Sequence, residues 1–163
     1  LNGYNLWLDK EPEAQEVIEQ LEKKDLSKYP EVVFCGYGEP TYRVEQLVAI
    51  AKYLKSRGVK TRLNTNGHGN IINNYDIVPS LAGNIDVVSI SLNQYNAKDY
   101  DKMCLSVFGE QGFYAMLEFA KSCKDAGIIT KFTVVDIIPK EDIEKCKQLA
   151  EGLGINLEVR SYL

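Results

Sequence analysis

Strand-like and helix-like stretches alternate along the whole chain and predict an α/β fold: an open partial (β/α) barrel with parallel strands and outer helices. Three observations predict it. Helical periodicity, with apolar residues every three or four positions, alternates with short apolar or two-periodic runs. Each strand-like run is separated from the next by enough chain for a crossover helix, as parallel pairing requires. The strand-like runs also carry polar residues along one face, which a closed barrel filled with branched apolar side chains would not tolerate. The 163 residues read as one domain, 1–163, with no internal boundary and no low-complexity tract.

In chain order, Leu1-Asn2-Gly3-Tyr4-Asn5 reads as a loop, and Pro12 suits a first helical turn. Ala14, Val17, Ile18 and Leu21 then share one helical face. Strands are expected near 31–35, 59–64, 86–92, 130–137 and 156–162, with Val32-Val33-Phe34-Cys35 opening the series. Val44, Leu47, Val48, Ala51 and Leu54 form an amphipathic helix closed by Gly58 as a left-handed cap. A short helix is expected around Ile77 to Leu81, and another at Ala97 to Met103. A stronger one carries Phe113, Met116, Leu117, Ala120 and Cys123. After Pro139 the last helix carries Ile143, Cys146, Leu149, Ala150 and Leu153, capped by Gly154.

Residues two apart on a strand share a face. Ser89, Ser91 and Asn93 therefore oppose Val88, Ile90 and Leu92, while Lys60, Arg62, Asn64 and Asn66 oppose Val59, Thr61 and Leu63. Glu158, Arg160 and Tyr162 oppose Leu157, Val159 and Ser161. Either a wide, incomplete barrel holds a polar ligand against this face, or these residues lie on edge strands facing water.

Composition narrows the function. The net charge is -4, from 19 basic and 23 acidic residues spread along the chain, so no basic stripe exists for a nucleic acid. No apolar run approaches membrane-spanning length, and the opening residues do not read as a signal peptide. Neither nucleic acid nor membrane is expected as a partner. Cys35, Cys104, Cys123 and Cys146 are scattered, which argues against disulfides and zinc, favours a reducing cytoplasm and predicts no stoichiometric iron on this polypeptide.

Cys35-Gly36-Tyr37-Gly38-Glu39-Pro40-Thr41 follows one strand, Asn64-Thr65-Asn66-Gly67 ends the next, and Ser91-Leu92-Asn93-Gln94 ends the third. Ligands of parallel β/α folds gather at these carboxyl ends. The glycines permit close approach of backbone to a ligand, and Ser and Asn offer short donors and acceptors. Each segment alone could be only a turn. Gly38, Glu39, Asn64, Ser91 and Asn93 are expected on one cleft. His68, the single histidine, reads as a loop residue, since it has no neighbours to build a zinc site. Glu31 and Asp86 fall at strand starts and read as caps or solvated groups. Asp136 is a candidate acid or base, or else a salt-bridge or turn contact, and Cys35 reads as a small buried thiol rather than a nucleophile.

Taken together, these loops resemble the radical S-adenosylmethionine (SAM) superfamily. Phe34-Cys35-Gly36-Tyr37-Gly38-Glu39-Pro40 is similar to that family's G-G-E-P loop, with Tyr37 replacing a glycine. Asn64-Thr65-Asn66-Gly67 is similar to its T-N-G turn, and Ser89 to Asn93 to its polar fourth strand. Within the family, Leu6-Trp7-Leu8, Cys35 to Thr41 and Val107-Phe108-Gly109-Glu110 resemble the subgroup linked to TatD-type proteins.

The resemblance implies a partial (β/α)6 barrel whose first strand precedes Leu1. It also implies a [4Fe-4S] cluster held by a C-x3-C-x2-C loop, and SAM cleaved to a 5′-deoxyadenosyl radical that abstracts hydrogen from a small-molecule or protein substrate of unknown identity. An electron donor such as flavodoxin or ferredoxin is implied with it. Gly38, Glu39 and Pro40 would meet the methionine amino group, chiefly through backbone. Asn64, Ser91 and Asn93 would contact the methionine or ribose, and Val135 would lie near adenine. No C-x3-C-x2-C occurs here, so no metal ligand is assigned and the cluster cysteines are expected upstream of Leu1. The polypeptide as it stands is not expected to perform radical chemistry. It is either an enzyme core without its cluster segment or a non-catalytic nucleotide- or partner-binding domain on the same scaffold. A hydrolase or aldolase barrel fits less well, for want of a metal cluster, a Schiff-base lysine setting or a Ser-His-Asp set.

Overall fold

The computed structural model describes Leu8 and residues 10–162. The loop expected at Leu1 to Asn5, and Leu6 and Trp7 of the subgroup motif, lie outside the described residues. Among the described residues five strands form a single sheet: β1 (Val32–Phe34), β2 (Thr61–Thr65), β3 (Val87–Ser91), β4 (Ile129–Val135) and β5 (Asn156–Arg160). All neighbours pair in parallel, and spatial order equals chain order. The open, all-parallel sheet expected from the sequence is what forms, each strand within a few residues of its expected bounds.

Seven α-helices accompany the sheet among the described residues: α1 (Ala14–Glu22), α2 (Val44–Ser56), α3 (Gly69–Asn73), α4 (Val78–Leu81), α5 (Ala97–Cys104), α6 (Glu110–Asp125) and α7 (Lys140–Gly152). Helices α2 and α6 bury the stripes their periodicity marks, through Leu47, Ala51 and Leu54 on α2 and Met116, Phe119, Ala120 and Cys123 on α6, whereas the expected stripe of α1, Ala14, Val17, Ile18 and Leu21, is only half-buried. Against them lie Leu63, Val88, Ile90, Phe132 and Val134, all at 0–1% exposure. Burying one such side chain stabilises the fold by about 1.5–3 kcal/mol, so this layer fixes the strand register. Among the described residues no helix is long and apolar enough to cross a membrane.

Two polar residues sit on this buried face, at either end of β2. Thr61 donates to the Asn84 carbonyl (2.8 Å), and its own N–H reaches the Asp86 carboxylate (2.8 Å). Lys55 completes the cluster with an ion pair to Asp86 at 2.5 Å. Burial works to raise the Asp86 pKa, but Lys55 and Thr61 outweigh it and the net shift is downward. Asp86 therefore ties the starts of β2 and β3. The opposite face of the sheet is polar, as expected. At mid-sheet its charges neutralise one another: Arg62 pairs with Glu31 (2.9 Å) and Lys131 with Glu158 (2.5 Å).

Helix α3 and a 3-10 turn at Pro40–Arg43 were not expected. Gly67 enters α3 with φ +80°, and a Cβ there would stand 2.6 Å from Met116 Cγ and 3.0 Å from Ile90 Cγ2. Backbone and packing both demand glycine. Gly67→Ala is expected to destabilise the chain by about 2–4 kcal/mol, measured as a lowered midpoint in urea unfolding.

Candidate functional site

The carboxyl ends of β1, β2 and β3 surround a polar cleft of about 470 Å³, lined by Gly36, Gly38, Glu39, Asn64, Asn66 and Ser91 among others. Beside it, toward β4, lies a second cavity of about 540 Å³. Asn66 and Ser91 line both, so the two spaces adjoin. Of the residues singled out in the sequence, Gly38, Glu39, Asn64 and Ser91 line the cleft, and Asn93 and Val135 line the cavity. Pro40 lines neither; it opens the 3-10 turn, where its fixed φ suits a first helical position.

Glu39 holds the cleft together. Its Oε1 accepts from Thr41 N (3.1 Å), Thr41 Oγ1 (2.7 Å) and Thr65 Oγ1 (2.8 Å), and its Oε2 accepts from Asn66 N (2.8 Å). The loop after β1 is thereby tied to the turn after β2. Thr65 Oγ1 in turn accepts from Gly67 N, and Asn66 Oδ1 from His68 N. With its carboxylate engaged inside the protein, Glu39 acts on the cleft by shaping it.

Two features of the cleft are unspent. A Cβ built on Gly38 meets nothing within 4 Å, and one on Gly36 meets only Gly38 N at 3.9 Å. Neither glycine has positive φ. Neither backbone conformation nor packing explains them, and the space they leave opens on the cleft. Asn64 Oδ1 is buried and has no hydrogen-bond partner, although Asn64 lines the cleft. An unpaired buried carbonyl costs about 1–3 kcal/mol unless a donor arrives. A cradle free of side chains beside an acceptor in want of a donor fits the ammonium-bearing half of SAM.

The cavity differs in character. Its walls include Ile72, Met103, Val107, Phe108, Val135 and Ile137, and no charged side chain lines it. Asn93, at φ +61°, turns the chain out of β3 and donates from Nδ2 to Cys104 Sγ at 3.3 Å. Burial pushes the Cys104 thiol up, as it does the Tyr100 phenol.

His68 lies in the loop before α3, as expected of a loop residue; its side chain is buried, packed edge-on against Phe108 and within 3.0 Å of both Gly112 O and Tyr100 Oη. Tyr100 and Cys104, on α5, are marked by no motif, and Phe108, in the loop after it, belongs to the Val107-to-Glu110 segment, which does not by itself mark a wall of the cavity. Cys35 corrects the expected reading, being exposed on the cleft rather than buried. Asp136 Oδ1 accepts from Tyr162 N at 2.7 Å, which ties the segment after β4 to the segment after β5 rather than closing a turn.

Among the described residues no three of His, Cys, Asp and Glu lie together in a group that could hold a metal ion. Cys123 and Cys146 are fully buried, with thiols pushed up to about 12 and about 11. These residues do not fit the ligand set of a [4Fe-4S] cluster.

A family model described as the Radical SAM superfamily matches residues 3–153. The chain belongs to that superfamily. A search of curated proteins finds no match. Among solved structures, a radical SAM methyltransferase from Sphaerobacter thermophilus is similar at 15% identity with a TM-score of 0.48, covering 94% of this chain. The chain spans 59% of that protein's length.

Two outcomes test the site's electrostatics. Glu39→Ala is expected to lower stability by about 3 kcal/mol and to speed hydrogen exchange at the Asn66 amide, which loses its acceptor. Burial holds the His68 imidazole below its ordinary 6.5, against the smaller upward pulls of the Gly112 carbonyl and Glu39. The unfolded chain therefore takes up a proton first as pH falls. Stability from this group is fully present above about pH 6.5 and declines as pH drops below it, down to the folded-state value. Melting curves between about pH 8 and pH 5 are expected to show that decline, and His68→Gln to flatten it. Carboxylates such as Asp86 enter only near pH 4 and below.

Proposed function

We propose that this chain is the SAM-binding part of a radical SAM enzyme core. The observation that carries the reading is the pairing of two unlike, adjoining spaces: a polar cleft with an empty glycine cradle and an unpartnered acceptor, beside a larger uncharged cavity. SAM has the same division, a zwitterionic amino-acid half joined to a nucleoside. The carbonyls of the Gly36-to-Gly38 loop and Asn64 Oδ1 would receive the ammonium group, Ser91 would offer its hydroxyl to the carboxylate or ribose, and Asn93 and Val135 would border the nucleoside. In this family, SAM on a reduced [4Fe-4S] cluster supplies the radical that removes hydrogen from a substrate. The cluster ligands are assigned to no described residue, so that step belongs to the whole protein, with a flavodoxin- or ferredoxin-like electron donor and a small-molecule or protein substrate.

The free thiols, unbridged at all four positions, support work in a reducing cytoplasm. The similarity of Cys35 to Thr41 and Val107 to Glu110 to the TatD-linked subgroup supports that finer placement.

Gly38→Val tests the reading cleanly, because a Cβ there meets nothing within 4 Å in the protein. Calorimetric titration with SAM is expected to show binding by the wild-type chain. The variant should bind at least roughly tenfold more weakly, about 1.4 kcal/mol, with an unchanged melting temperature. Lys121→Ala, on the exposed face of α6, should bind as wild type. Equal affinity in Gly38→Val would place the ligand elsewhere.

A further inference from the structure

The sheet has two outer edges, and they differ. At one, β1 has three residues, all half-buried. At the other, β5 has five, four of them exposed, and among the described residues it pairs only with β4. Arg160 O accepts from Asp136 N at 3.0 Å, so the Arg160 backbone faces β4. The N–H and C=O of one strand residue point to the same side, and the side alternates along the strand. Leu157 and Val159, and Ser161 just beyond the strand, therefore present their backbone groups to the open edge. Proline or a bulge commonly blunts such an edge. β5 contains no proline, and its register with β4 runs unbroken from Asn156 to Arg160.

The side chains supply a second, independent observation. Glu158 and Arg160 stand on the polar face of the sheet, with Val159 between them on the other face and 41% exposed. Glu158 meets Lys131 through Oε2, whereas Arg160 has no ion pair among the described residues. Two opposite charges, spaced two residues apart on an open edge, form a pattern that can complement itself when the strand meets its own copy in reverse.

We propose that this edge is an interaction surface for a second copy of the chain, the two β5 strands pairing antiparallel about a two-fold axis at Val159. A two-fold contact applies the same patch to itself, so every residue meets its reverse counterpart. Outward-facing backbone must oppose outward-facing backbone for the ladder to form. Three registers that keep most of β5 paired satisfy this, with the axis at Glu158, Val159 or Arg160. An axis at Glu158 sets two carboxylates face to face, and an axis at Arg160 two guanidinium groups; like charges directly opposite destabilise a ladder. An axis at Val159 sets each Glu158 against Arg160 of the partner subunit, and Leu157 against Ser161. Charge thus selects one register, and Arg160 gains the carboxylate it lacks in the single chain. Because the copies run antiparallel, their ligand rims lie at opposite ends of the joined sheet, and neither faces the other.

Sedimentation velocity on the 163-residue chain over rising concentration is expected to show a mass climbing from 18.4 kDa toward twice that value. Glu158→Arg and Arg160→Glu each place like charges opposite one another and should weaken the dimer at least roughly tenfold. Mixed in equal amounts, the same two variants oppose arginine to glutamate throughout and should associate within about threefold of the wild type. Val159→Pro removes an outward N–H that the single chain does not use and should stay monomeric. Hydrogen exchange on the wild-type chain needs no variant: the Leu157, Val159 and Ser161 amides should exchange more slowly at dimer-forming concentration than in dilute solution. The inference is overturned by a chain that stays monomeric throughout, or by single charge variants that dimerise as the wild type does. A mixture of the folded variants that stays monomeric, or outward amides whose exchange ignores concentration, would overturn it equally.

Discussion

The Glu39 carboxylate is the constraint on which both ligand spaces depend. Strand ends of a parallel sheet finish in backbone groups that no neighbour pairs, and the loops beyond them are free to splay. Here one carboxylate accepts four hydrogen bonds from Thr41, Thr65 and Asn66, pinning the loop after β1 against the turn after β2. The hold passes onward, because Asn66 caps the His68 amide and so helps to set the ring that borders the neighbouring cavity. Charge-assisted bonds of this kind are individually about twice as strong as neutral ones, which suits a rim that must stay open without collapsing. The glycines can leave their space empty because a side chain elsewhere carries the load.

The polar face of the sheet serves two ends. At the carboxyl rim, Asn64 and Ser91 open onto the cleft. Further down, Arg62, Glu31, Lys131 and Glu158 pair with one another. Partly exposed pairs contribute only about 0.2–1 kcal/mol, so they keep this face wet and neutral more than they hold the fold together. Water-facing residues and ligand-facing residues share one alternation along the strands, and pattern alone does not separate them.

That limit marks what the sequence makes legible. Strands and long helices are visible because their periods are imposed by burial: Val88, Ile90 and Leu92 alternate with Ser89, Ser91 and Asn93, and the first three are at 0% exposure. Rim positions are visible because glycine and asparagine mark strand ends. Helix α3, at five residues, is too short to show a period. The role of Glu39 is hidden because its partners Thr65 and Asn66 lie 26 and 27 residues away. A lone histidine carries no signal of burial; what seats His68 is Gly112 on α6, absent as a side chain and far along the chain.

Strand order matching chain order has a consequence for how the molecule comes to be made. No hydrogen-bonded pair of strands is local: even Arg62 and Val87 enclose a crossover of helices between them. Contacts of such span close slowly, and the waiting edges are open to wrong partners. Because each new strand docks beside the one synthesised just before it, the sheet can grow from one edge as the ribosome delivers it. A doubly wound arrangement would have to keep an early strand exposed until a much later one returned to cover its far side. Here β1 is paired along one side as soon as β2 emerges, and each later strand docks onto the one made just before it.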